Sequence, residues 1–434
     1  MIGAGLVRFS GAVEELTEAD RDALFSRATN EDASITLRAS EIIDDVRVRG
    51  DDALRELAFA LDGVSLETLE VPRATILRAL DSTPPDVRRV LERSARNIAT
   101  VHGAFMPTPM EVEPEPGVVV GRRPDPLQRV GVYAPGGRAA YPSSVLMGAI
   151  PARVAGVGEV ILCSPPGSDG LPSRAVLAAA ALANVDRVFA IGGAGAIGAM
   201  AYGTRSVPRV DRIVGPGNAY VAAAKLLVVR QVAIDSPAGP SELILIADDS
   251  ADPSVVATEM VAQAEHDPLA CVIAIAISEA TASRIERALA GEVERADRSE
   301  IVREALAGHG GILRVSSVAA AVEFSNRFAP EHLLLCVSNA AAVVRSVRNA
   351  GTVFVGERSS VAFGDYMTGA NHVLPTGGLA RSYSGLSPLD FVRWTTYQRV
   401  GAAAAANLAM DVGVFADAES LPGHAAAARQ WSAR

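Results

Sequence analysis

Residues 129–137 read RVGVYAPGG, an apolar run that stops on a proline–glycine turn, and SSVLMGAIPARVAG (143–156) continues it with the apolar spacing of a helix. The unit then recurs. EVILCSPPG (159–167) leads to RAVLAAAALAN (174–184), RVFAIGG (187–193) to AIGAMAYGT (196–204), and RVDRIVGPG (209–217) to NAYVAAAKLLVV (218–229). Strand, glycine turn and helix at this spacing predict a mostly parallel sheet covered by helices, with ligands expected at the carboxyl ends of its strands. A second alternating region opens at ELILIADD (242–249) and runs through SVVATEMVAQAEHD, ACVIAIAI, EATASRIERALAG, GILRVS and VAAAVEFSNRF to HLLLCVS (332–338). Upstream, 31–49 and 72–100 carry apolar positions at helical spacing, so residues 1–100 are expected to be mostly helical. PTPMEVEPEPG (107–117) breaks that pattern as a connection, 356–388 is expected to be loop-rich, and the tail from Asp390 is expected to be helical.

The 434 residues are 49% apolar and 21% charged, the balance of a globular protein, with a formal net charge of −10. That sign excludes nonspecific binding to nucleic acid or acidic membranes, but not anionic cofactors, which backbone N–H groups can hold. No apolar run is long enough to span a bilayer, and the start of the chain shows no signal-peptide pattern, so cytoplasmic residence is expected. Cys163, Cys271 and Cys336 are scattered in apolar runs, as buried reduced thiols would be.

The candidate chemistry lies in four of six histidines. Gln263 and His266, three apart near a helix end, share one helical face. They suit a metal site or a polar last turn in which His favours the helix dipole. Asp365 can add an oxygen ligand and His424 an imidazole, a mixed N/O set that fits zinc or a similar ion. Glu331 and His332, after Pro330, are an acid–base pair or a surface turn entering a strand. His372 lies in GDYMTGANHVLPTGG (364–378), a binding loop or a surface excursion. Glycines close YAPGG, IGGAGAIG (191–198) and VGPGN (214–218) at strand ends, as tight turns or anion cradles. Gly193, Gly195 and Gly198 match a dinucleotide fingerprint, which we discount because no acid follows at a second strand end.

Taken together, VGVYAPGGRAAYPSSVLMGAIPARVAGV, VDRIVGPGNAYVAAAK, AGPSELILIADD, QAEHDP, FAPEHL, GDYMTGANHVLPTGG and a terminal E-x-x-x-x-H resemble the histidinol dehydrogenase family over essentially the whole chain. The resemblance implies two Rossmann-like α/β domains with helical extensions: 30–130 with 240–386, and 131–239, flanked by an N-terminal helical segment (1–29) and a C-terminal helical region (387–434). It implies a zinc- and NAD-dependent enzyme that oxidises L-histidinol to L-histidine in two hydride transfers, the last step of histidine biosynthesis. The family's zinc ligands fall on Gln263, His266, Asp365 and His424, and its catalytic pair on Glu331 and His332. Substrate contacts fall on Ser241, His372 and Glu419 beside the metal ligands and His332, and cofactor contacts on Tyr133, Gly195 and Asn218. A homodimer is implied, with Glu419 and His424 acting across the interface. Gly195 stands where the family commonly has glutamine, a lost amide worth about 0.5–1.5 kcal/mol net. Two other readings stay open: a family member acting on another small alcohol, and a zinc-binding homologue without catalysis.

Overall fold

The structure, a computed structural model, describes residues 5–25, 27, 33–136 and 140–432. Glu31 and Gly137, which entered the expected first helix and first glycine turn, lie outside the described residues. Among the described residues the strands are β1 (Phe9–Ala12), β2 (Met110–Glu115), β3 (Val118–Pro126), β4 (Arg129–Tyr133), β5 (Glu159–Ser164), β6 (Arg187–Ala190) and β7 (Arg212–Val214). They continue as β8 (Ala233–Ile234), β9 (Glu242–Ala247), β10 (Cys271–Ala276), β11 (Gly311–Arg314), β12 (His332–Cys336), β13 (Thr352–Val355) and β14 (Val392–Val400).

Two parallel sheets carry the fold, as the strand–helix rhythm predicts. One has the order β6-β5-β4-β7-β8 and the other β1-β11-β10-β9-β12-β13. Apart from β1, both run in the same doubly wound order, which reverses at β4/β7 in one and at β9/β12 in the other. Their central strands are mostly apolar because helices cover both faces. In β9, Leu243, Leu245 and Ala247 enter one core, and Ile244 and Ile246 enter the core on the opposite face. The period-two alternation of a strand thus feeds two hydrophobic layers at once.

Three segments depart from the sequence expectation. β1, in a region expected to be helical, pairs in parallel with β11 at the sheet edge. The connection 107–117 contains β2, and the tail expected to be helical opens with β14. These two flank β3 in an antiparallel sheet of order β14-β3-β2. VRWTTYQRV carries the β-branched and aromatic residues of a half-exposed strand, and its tertiary pairing with β3, 270 residues away, decides the matter. Beyond it, Ala402–Ala418 and Pro422–Arg429 form the expected helices and pack chiefly on one another. Among the described residues no helix is long and apolar enough to cross a membrane. The three cysteines are free and buried.

Candidate active site

Helix Val318–Phe328 ends on Ala329, whose φ of 55° lies in the left-handed region. This conformation caps the helix but is unfavourable for a residue with a Cβ. The chain turns through Pro330 directly into Glu331 and His332, both buried where β12 begins. β9 lies alongside, and Glu242 at its start meets both residues. The Glu242 N–H donates to Glu331 Oε2 at 2.9 Å, while the Glu331 N–H faces Glu242 Oε2 at 3.4 Å. His332 Nδ1 lies 3.2 Å from the Glu242 main-chain oxygen and 3.5 Å from Glu331 Oε2. A carbonyl only accepts, so the ring proton sits on Nδ1 and Nε2 is left as an acceptor. That Nε2 is buried without a hydrogen-bond partner, 3.8 Å from Asp365 Oδ1.

Burial governs the charges here. Desolvation, with the carboxylates of Glu242 and Asp365 nearby, raises the Glu331 carboxyl well above its ordinary range. The same desolvation, reinforced by His266 and His372, lowers His332 to about 3, so its imidazole is neutral. Asp365 rises to about 7 through burial and the Glu259 charge. Its main-chain oxygen takes His372 Nδ1 at 2.9 Å, and burial lowers His372 to about 4. Asp365 sits on a short helix, Val361–Tyr366, and not in the expected loop. Gly364 before it is required by close packing: a Cβ there would meet the Phe354 ring at 2.6 Å, and that ring lies 5.8 Å from the His332 ring.

His266 follows helix Pro253–Ala264 and is exposed, though desolvation still lowers its imidazole, and Gln263 is buried one turn back. Half-buried Ser241 immediately precedes β9 at the same edge. The structure therefore gathers Ser241, Glu331, His332, Asp365, His372 and the Gln263–His266 turn around the amino ends of β9 and β12. Ligands were expected at carboxyl ends. At that end of this sheet the Asp248 carboxylate takes the N–H and hydroxyl groups of Ser338 and Ser250.

The carboxyl ends of the other sheet do carry the glycine turns. Tyr133 ends β4 in the core, and its hydroxyl accepts the Gly193 N–H at 3.0 Å. Gly215, at φ 115°, passes so close to the Tyr133 main chain that no side chain fits. Its N–H donates to Asp235 Oδ2 at 2.7 Å and its oxygen accepts from Lys225 Nζ at 3.1 Å; Lys225 and Asp235 form a buried ion pair. Exposed Asn218 caps helix Ala219–Val228, accepting the Val221 N–H at 3.2 Å. The result is a tight glycine turn leading into a helix N-terminus, the kind of element that can face an anion.

Gly195 lies in a helix and not in a turn. It is buried within helix Gly193–Tyr202, where a Cβ would meet Leu57 at 2.9 Å, and Gly198 packs on Ile43. These glycines let helices approach. Glu419 and His424 stand apart on the C-terminal helices, both exposed. His424 lies within the first turn of the last helix. Among the described residues no three His, Cys, Asp or Glu side chains cluster closely enough for a metal ion.

Sequence reasoning missed Glu242 and Arg27. Glu242 is buried; its Oε1 accepts the Gly377 N–H at 2.9 Å and lies 3.0 Å from Arg27 Nη1, whose guanidinium stacks on Phe328. The available signal was a lone acid opening the apolar strand ELILIA.

Two doubly wound sheets and a neutral buried histidine beside a carboxyl group define an α/β enzyme equipped for proton transfer. Residues 25–431 match the histidinol dehydrogenase family model. The histidinol dehydrogenase of Methanosarcina mazei is 44% identical over 95% of both chains, and that of Halobacterium salinarum 46% over 96% of this chain and 97% of its own. The crystal structure of the Elizabethkingia anophelis enzyme superposes with a TM-score of 0.93 at 32% identity, covering 98% of both chains. An acetylating aldehyde dehydrogenase from Geobacillus thermoglucosidasius, at 11% identity and a TM-score of 0.50, shares the fold alone. The chain belongs to the histidinol dehydrogenase family and is a dehydrogenase, which implies a place in histidine biosynthesis.

Proposed function

We propose that this chain oxidises L-histidinol to L-histidine through L-histidinal, and the observation that carries the proposal is the buried Glu331–His332 pair with its bare Nε2. Bound NAD+ supplies a hydride acceptor for each oxidation, and zinc supplies an anchor for the imidazole and amino nitrogens of the substrate. Tyr133, Asn218 and the 214–218 turn fit the cofactor, being a glycine turn that leads into the N-terminus of helix Ala219–Val228. Gln263, His266 and Asp365 fit the metal: an amide oxygen, an imidazole and a carboxyl that burial holds up to about 7 with no cation near it. His424 of a second copy would add a fourth protein donor, and the substrate nitrogens would complete the shell.

His332 takes the alcohol proton on Nε2 as the first hydride leaves, giving the aldehyde. Glu331, as carboxylate, takes a proton from water attacking that aldehyde, and its raised pKa makes it a stronger base than an exposed acid. His332, having released its first proton, takes the hydroxyl proton of the hydrate as the second hydride leaves, giving the carboxylic acid. Overall, alcohol, water and two NAD+ become carboxylate, two NADH and three protons. His372, Ser241 and Glu419 position the substrate. Both oxidations share one pair, so the aldehyde need not leave.

Exposed apolar side chains on the C-terminal helices support the homodimer. Val414 and Phe415 are 62% and 69% exposed, close in sequence to Glu419, and Trp431 lies beyond His424. A cytoplasmic location accords with a soluble biosynthetic enzyme. The test is turnover: the purified zinc-loaded protein forms NADH from NAD+ and L-histidinol, and Glu331→Gln and His332→Asn each lose at least about 100-fold. Undiminished turnover in both variants, or turnover only on another alcohol, refutes the reading.

A further inference from the structure

We infer that Glu242 is a positioning residue for the reaction: its main chain orients both Glu331 and His332, and its carboxylate, gripped by Arg27 and the Gly377 N–H, holds that main chain in register. The inference rests on the reading of Glu331 and His332 as the reacting pair. One residue touches both, through its N–H to Glu331 Oε2 at 2.9 Å and its C=O to His332 Nδ1 at 3.2 Å. The His332 contact decides which ring nitrogen is free. A shift of this peptide would release the Nδ1 proton and mix the tautomers, leaving part of the population unable to accept a proton at Nε2.

The side chain has no other evident work, being buried away from solvent among donors. Oε1 faces Arg27 Nη1 at 3.0 Å and the Gly377 N–H at 2.9 Å, and Oε2 faces the Glu331 N–H at 3.4 Å. Arg27 is itself fixed by the Phe328 carbonyl at 2.6 Å and by stacking on the Phe328 ring. Phe328 ends the helix that leads into Glu331, so the grip ties the start of β9 to the segment that delivers the pair. A carboxylate accepts from both main-chain N–H groups and pairs with the guanidinium at the same time. An amide has one accepting oxygen and turns an NH2 towards the rest, which forces the peptide to move.

The test uses Glu242→Gln and Arg27→Met in the zinc-loaded enzyme, with two readouts. In steady state each variant loses at least 30-fold in kcat while KM for L-histidinol and NAD+ stays within threefold. In 15N-histidine-labelled protein without substrate, the His332 ring changes from a pure Nδ1–H tautomer to a mixture, a change that general loosening of the fold would not confine to this ring. Unchanged kcat, KM rising in step with the loss of kcat, or an unchanged His332 tautomer each overturns the inference. If the unmodified enzyme fails to oxidise L-histidinol, the proposed function falls while the tautomer readout still decides the role of Glu242.

Discussion

His332 Nδ1 lies 3.2 Å from the main-chain oxygen of Glu242, so the ring keeps its proton on the strand side and turns a bare Nε2 towards Asp365. With the alcohol proton assigned to His332 and water activation to Glu331, the two residues should fail differently. His332→Asn should slow oxidation of both L-histidinol and L-histidinal by about 10²–10⁴-fold. Glu331→Gln should retain more of the first oxidation than of the second, so a single turnover moves towards one NADH per histidinol. Equal loss of both half-reactions in Glu331→Gln, measured with each substrate separately, would remove the assigned division of labour.

Metal removal should be reversible and specific. Chelation is expected to abolish turnover and zinc to restore it, while Asp365→Asn and Gln263→Ala should each weaken zinc at least about tenfold. Metal content after dialysis against a fixed free-zinc buffer checks this. Full metal retention in both variants would exclude these residues as ligands.

Gly195→Gln tests whether that position packs helices or faces the cofactor. Its side chain would enter the contact with Leu57 and Leu54, and overpacking should cost about 1–3 kcal/mol in unfolding free energy. NAD+ affinity, read by calorimetry, should not improve. Tighter binding with unchanged Tm would show that residue 195 does face the cofactor.

His102 offers a pH prediction away from the site. It is buried on helix Pro85–Ala104 with neither ring nitrogen bonded, and desolvation lowers it to about 4 from an ordinary 6.5. The unfolded chain takes up this proton at higher pH than the folded one. The stabilisation from keeping the ring neutral is therefore complete above 6.5 and is lost as pH falls towards 4, up to roughly 3 kcal/mol. His102→Leu should flatten that part of the urea-unfolding profile relative to the parent. An identical slope in both proteins would contradict the assignment.

The strand–helix alternation from Arg129 to Ser338 was legible because buried parallel strands read as apolar runs punctuated by glycine turns. β2 and β14 were not, since MEVEPE and VRWTTYQRV lie on an open antiparallel sheet and owe their state to pairing with β3. The family motifs named Glu331, His332, Asp365 and His372 as site residues, but nothing local showed that the site would form at the amino ends of β9 and β12. Glu242 and Arg27 were invisible for the same reason: an acid at a strand start and an arginine over 200 residues away become partners only through the fold.

The central claim is a four-electron oxidation within one site, and product stoichiometry tests it most directly. Zinc-loaded enzyme given limiting L-histidinol and excess NAD+ should yield two NADH and one L-histidine per histidinol consumed, with no free aldehyde trapped by an added carbonyl reagent. One NADH per histidinol with the aldehyde recovered in the trap would contradict the account.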